Sequence, residues 1–153
     1  MTQNLPEFGG TLSPEVVAPC LGLLPNQIGG ACGLPIQIAS TGLLKVFVPV
    51  QSLQTLMSVE PDFDAITKVS EACGAIGMYV YSLETKWDGT AHCRNFAPVV
   101  GILEDSATGT SAAALGCVLH HHGALSENTS QVLCFEQGYS IGQPAELIVF
   151  LDV

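Results

Sequence analysis

The chain has 153 residues, the size of one domain. Hydrophobic residues make up 48% and charged residues 12%, enough apolar material for a core and a composition that excludes intrinsic disorder. Four Lys and Arg against fourteen Asp and Glu leave a net charge of −10, which excludes nucleic acid and anionic membrane as partners because both bind through neutralising cations.

Charge is absent between Val16 and Leu44 and again between Ser106 and Ser126. Pro19, Pro25 and Pro35 break the first stretch and three histidines lie in the second, so both read as buried protein rather than bilayer spans. The opening Met-Thr-Gln-Asn-Leu-Pro-Glu lacks the basic and apolar regions of a secretory signal, which makes the cytoplasm the expected compartment. Six scattered cysteines without a Cys-x-x-Cys pair are expected to be reduced, buried thiols.

In chain order, residues 1–12 are expected as an N-terminal arm and 13–153 as the domain. Ser13-Pro14-Glu15 supplies a cap, a first-turn proline and an early acid for a short helix. Residues 24–35 are rich in Gly and Pro and read as loop, including Gly29-Gly30-Ala31-Cys32-Gly33, which lacks the lysine of a phosphate-binding loop. Residues 36–39 and 43–50 are β-rich runs around Ser40-Thr41-Gly42. A helical turn follows at 52–57, and Pro61-Asp62 opens a helix with Phe63, Ile66, Val69, Ser70 and Cys73 on one face, stopped by Gly74. Residues 76–83 and 90–97 form a strand pair across a turn at Trp87-Asp88-Gly89. Past Gly109 the chain is almost wholly small and aliphatic up to Leu119, so a helix over 108–121 must be surrounded by protein. Strands at 131–135 and 146–151 complete an α+β domain whose curved, largely antiparallel sheet wraps that central helix.

Acids and hydroxyls concentrate just ahead of the buried helix. Its N-terminus carries unpaired N–H groups and a partial positive charge, so Thr108, Gly109, Thr110 and Ser111 are able to hold an anion. Asp105 precedes them and is placed either to bind a ligand or to move a proton. The competing reading makes Asp105 and Thr108 ordinary capping groups.

Glu104-Asp105-Ser106-Ala107-Thr108-Gly109-Thr110-Ser111-Ala112 resembles the E-D-x-A-T-G-S-A signature of the PhzF-like isomerases, relatives of diaminopimelate epimerase named for phenazine biosynthesis. Ser40-Thr41-Gly42 ahead of Val48-Pro49-Val50, Arg94-Asn95-Phe96-Ala97-Pro98 and the run Glu136 to Pro144 are similar to that family's S-T-G, R-x-F-A-P and E-Q-G-x-x-M-G-R-P stretches, with Gln143 where arginine is common. The resemblance implies a diaminopimelate epimerase-like fold and Asp105 as the active-site aspartate. It implies a small carboxylate held by Gly109 and Thr110 amides, with Thr108 and Ser40, Thr41 and Gly42 as further substrate contacts. No cofactor and no metal are implied. The family's first domain, with its glutamate and G-H-P-T helix start, finds no counterpart here, and neither do its final strands. The chain therefore resembles the second of two domains. The expected function is cofactor-free proton transfer in a cleft completed by a second copy, a homodimer, or by a separate partner; the alternative is a non-catalytic ligand-binding or structural remnant. Cys93 and Cys117 are out of register for a two-base cysteine racemase.

Three further features receive bland readings. Successive histidines His120, His121 and His122 point about 100° apart on a helix and do not converge on a metal, so they are expected to be exposed and to balance the helix dipole. Arg94 is expected to pair with Glu104 or Asp105, and Glu136 to be solvated.

Overall fold

In the computed structural model, which describes residues 2–29, 33–125 and 129–153, the β-rich runs become strands. They are β1 (Glu7–Leu12), β2 (Ile36–Ser40), β3 (Leu44–Pro49), β4 (Met78–Ser82), β5 (Ala91–Ala97), β6 (Ile102–Asp105), β7 (Gln131–Gln137) and β8 (Ala145–Leu151). The helices are α1 (Pro14–Val17), α2 (Leu53–Ser58), α3 (Phe63–Cys73) and α4 (Gly109–His121). One sheet runs β1-β2-β3-β4-β5-β7-β8, with β6 paired to β5. Neighbours are antiparallel except β3 with β4 and β5 with β7.

Alternation along the strands divides the core into two layers. Val46, Val48, Met78, Val80 and Phe96 face one way, where they meet Val17, Leu56 and Ile66 from α1, α2 and α3. Phe47, Tyr79, Tyr81, Ala91, Cys93, Leu133 and Phe135 face the other, against Ala112, Leu115, Val118 and Leu119 of α4. Because α4 touches both β2 and β8, which lie far apart in the strand order, the sheet curls around it. Both faces of the central strands are thus covered, which explains continuous burial along β3, β4 and β5.

Two expectations change. Residues 7–12 are an edge strand rather than a free arm: β1 pairs antiparallel with β2, and the Gln37 amide donates to the carbonyls of Gly9 at 2.8 Å and Gly10 at 3.2 Å. Residues 102–105, expected only as the lead-in to the helix, form β6. Among the described residues no helix is long and apolar enough to cross a membrane. The five described cysteines are free thiols, Cys20 and Cys93 fully buried and Cys73, Cys117 and Cys134 partly so. Cys32 and residues 30–31 of the Gly-rich loop lie outside the described residues.

Candidate active site

Successive residues of a strand point to opposite faces, and β6 uses this to separate its two acids. Glu104 points away from α4 and takes a two-pronged contact from Arg94, whose Nε and Nη2 donate at 3.0 and 2.8 Å. Ser140 donates its hydroxyl to the same carboxylate. Arg94 Nη1 also donates to the carbonyls of Leu56 at 3.1 Å and Val59 at 3.0 Å, tying β5 to the end of α2. Of the two pairings expected for Arg94, Glu104 is therefore the one formed, and Asp105 is left for the α4 side of the sheet.

There a chain of hydrogen bonds with one direction converges on Asp105. The Tyr79 hydroxyl donates to Gln137 Oε1 at 2.7 Å. With that oxygen occupied, Gln137 Nε2 donates to the Asp105 carbonyl and to Thr108 Oγ1, both at 3.0 Å. The Thr108 hydroxyl, already accepting, donates its own hydrogen to Asp105 Oδ2 at 2.8 Å. Thr108 stands at the cap position of α4 but its side chain makes no capping bond. The hydroxyl oxygen accepts from Gln137 and not from a first-turn amide, which leaves the helix start to other acceptors. The capping reading of Asp105 and Thr108 is thereby replaced: the two cap each other and not the helix.

Asp105, Thr108, Thr110 and Ser111 line a cleft of about 340 Å³ together with Leu43, Lys45, Ile76, Asn95, Ala97, Val100 and Ile102. Gly109 opens α4 between two of these residues. Ser40, Thr41 and Gly42 sit in the β2–β3 turn, which reaches the cleft through Leu43; there Ser40 Oγ accepts from the Gly42 amide at 2.9 Å and Thr41 Oγ1 donates to Gln3 Oε1 at 3.2 Å. Lys45 was not singled out by sequence reasoning. It occupies the inward phase of β3 beside Phe47, is 3% exposed, and donates to Asn95 Oδ1 at 2.6 Å. Burial pushes its amine down to about 8, with the negative charge of Asp105 pulling the other way. A lone charge in an otherwise apolar strand was the available signal. Asn95 and Gln137 carried none beyond their place in the matched motifs, and Tyr79 carried none.

Glu136 corrects its expectation. It is 1% exposed, and its carboxylate meets His92 Nδ1 at 2.6 Å and accepts from the amides of Lys86 at 2.7 Å and Trp87 at 2.6 Å. Burial alone would raise its pKa, yet these bonds hold it below the usual carboxylate range. It clasps the 84–89 turn to β7. The histidines also have partners: His121 stacks on Phe8 with ring centroids 4.0 Å apart, and His122 Nε2 meets Gln37 Oε1 at 2.9 Å, docking the end of α4 onto β1 and β2. Among the described residues no three His, Cys, Asp or Glu side chains gather as metal ligands. Gln143 is exposed, and its amide donates to the Gly138 carbonyl at 2.9 Å.

The family model for phenazine biosynthesis-like proteins matches residues 10–153. An uncharacterized isomerase of Clostridium acetobutylicum is 35% identical over 146 residues, which cover 94% of this chain and 48% of that protein. The trans-2,3-dihydro-3-hydroxyanthranilate isomerase of Pseudomonas chlororaphis is 32% identical over 111 residues, 72% of this chain and 37% of its own. The crystal structure of a Bacillus anthracis phenazine biosynthesis protein of the PhzF family superposes with a TM-score of 0.85 at 26% identity, covering 98% of this chain and 50% of that one. The chain thus spans about half the length of the relatives it matches. On the matched length and the shared fold, the chain belongs to the phenazine biosynthesis-like (PhzF) family of isomerase-type proteins and has its α+β, diaminopimelate epimerase-like fold.

Proposed function

We propose that the chain supplies one wall of a cofactor-free isomerase site, in which Asp105 takes a proton from one carbon of a small unsaturated carboxylic acid and returns it at another. The observation that carries this reading is the Thr108 hydroxyl, which donates to Asp105 and accepts from no amide of the helix. It fixes the carboxylate for proton transfer and leaves the amides of Gly109 and Thr110 to take the substrate carboxylate. Ser40, Thr41 and Gly42 border the substrate at the β2–β3 turn. The opposite wall comes from a second copy of the chain, whose apolar rim meets that of the first. The isomerase relatives support the reaction class, and the relative acting on a dihydro-hydroxyanthranilate suggests a cyclic unsaturated acid as substrate.

The test is an isomerisation assay on trans-2,3-dihydro-3-hydroxyanthranilate and related cyclohexadiene carboxylates, followed by absorbance as the double bonds move. Turnover by the native protein that falls at least about a hundredfold in Asp105→Asn is expected, since a positioned acid–base group contributes roughly that much. Equal turnover by Asp105→Asn, or none by the native protein with any of these acids, rejects the reading.

A further inference from the structure

The lysine in the cleft is not used by the chemistry just described. An ammonium group has three donor hydrogens, and the structure gives that of Lys45 one acceptor, Asn95 Oδ1. Among the described residues the side-chain ion pairs are His92 with Glu136 and Arg94 with Glu104, so Lys45 has no carboxylate in contact. Lysines are almost never this buried without a partner. Two of its N–H bonds are left for whatever enters the cleft.

Charge balance identifies what that is. Asp105 lies in the same cleft, on a chain of net charge −10, and repels any anion that approaches. The start of α4 offsets this with only about half a positive charge. A full positive charge in the wall makes room for an anion beside Asp105. The rest of the lining, Leu43, Ile76, Ala97, Val100 and Ile102, is apolar, so the anionic group belongs to a ligand that is otherwise hydrocarbon.

Resting on the reading of the cleft given above, we propose that Lys45, oriented by Asn95, is the counter-cation of the site and binds the carboxylate of a small acid with a hydrocarbon frame. The carboxylate then bridges the ammonium and the helix start, and the body of the ligand lies along the apolar wall towards Asp105. Such a site prefers an acid to its uncharged amide or ester of the same shape.

The chain has three lysines, Lys45, Lys68 and Lys86, which makes side-chain NMR of a lysine-labelled sample direct. The probe is sodium benzoate, with benzamide as its uncharged match. A bound carboxylate stabilises the ammonium form, so the Lys45 titration moves upward from about 8. Lys45→Met is expected to weaken benzoate binding by roughly ten- to a hundredfold, the loss that goes with one charge-assisted hydrogen bond. Benzamide is expected to leave the Lys45 titration unchanged. If benzoate shifts the amides of Thr110 and Ser111 but leaves the Lys45 signal and titration unchanged, this assignment is overturned and the cleft reading survives. If benzoate does not bind the native protein, both are overturned.

Discussion

Asp105 and Lys45 share a cleft without touching, and each owes its state to a neighbour with one hydrogen-bonding role. Tyr79 donates to Gln137, Gln137 donates to Thr108 and to the Asp105 carbonyl, and Thr108 donates to the Asp105 carboxylate, which thus receives a donor of defined direction. Asp105 and Thr108 were legible in the sequence because they sit three residues apart in one motif. Tyr79, Gln137 and Lys45 were not, because they arrive from β4, β7 and β3 and meet only after the sheet closes. Lys45 has a thermodynamic signature. Its folded-state pKa lies near 8 against an ordinary 10.5, so between these values the unfolded chain binds more protons and this group makes stability rise with pH. Buried thiols with raised pKa, such as Cys20 and Cys117, oppose the rise, and they do so equally in a variant. Urea unfolding of the native protein and Lys45→Met should therefore show the native chain gaining on the variant, by on the order of 2–3 kcal/mol, from pH 8 to pH 10.5. Parallel stability curves would mean that Lys45 is not held in the depressed state.

At the scale of elements, the pattern arguments succeeded where burial is one-sided or total. The α3 face at helical spacing and the small-residue run of α4 both form the helices expected. The pattern was weak for β1, whose Gly9 and Gly10 lower strand propensity and sit at a shift in the β1–β2 register. That strand is held by β2 and by the Gln37 side chain, neither of which is local in sequence. β6 spans only four residues with no alternation in burial, so nothing marked it before its partner β5 was in place. Glu136 looked like a solvated acid because its three donors lie more than 40 residues away. The joint between β7 and the site is Gly138, with φ of +87°, where an added Cβ would lie 2.1 Å from the Gln143 carbonyl oxygen and 2.7 Å from that of Ser106. Neither backbone oxygen is free to yield. Gly138→Ala is expected to lose about 3 kcal/mol or more and to displace Gln137, seen as a lower melting temperature together with a perturbed Thr108 signal. A variant as stable as the native protein would contradict this packing.

For the whole molecule, the central strands are covered on both faces, yet apolar side chains remain exposed around the cleft and along β8. Leu43, Val100 and Ile102, which line the cleft, are exposed, and Phe150 on β8 is 79% exposed. Isolated exposed apolar residues are ordinary, but a cluster rimming a cleft marks an interaction surface. Light scattering at micromolar concentration is expected to give twice the 16.0 kDa of one chain, and a monodisperse monomer would remove the composite site from the account. The central claim, that Asp105 carries a proton between carbons of a bound acid, is tested most directly by solvent exchange. In D2O with a cyclohexadiene carboxylate, the native protein is predicted to place deuterium on a ring carbon at a rate that collapses in Asp105→Asn and persists in a surface variant such as Lys68→Gln. Deuterium incorporation that is the same in Asp105→Asn as in the native protein would contradict it.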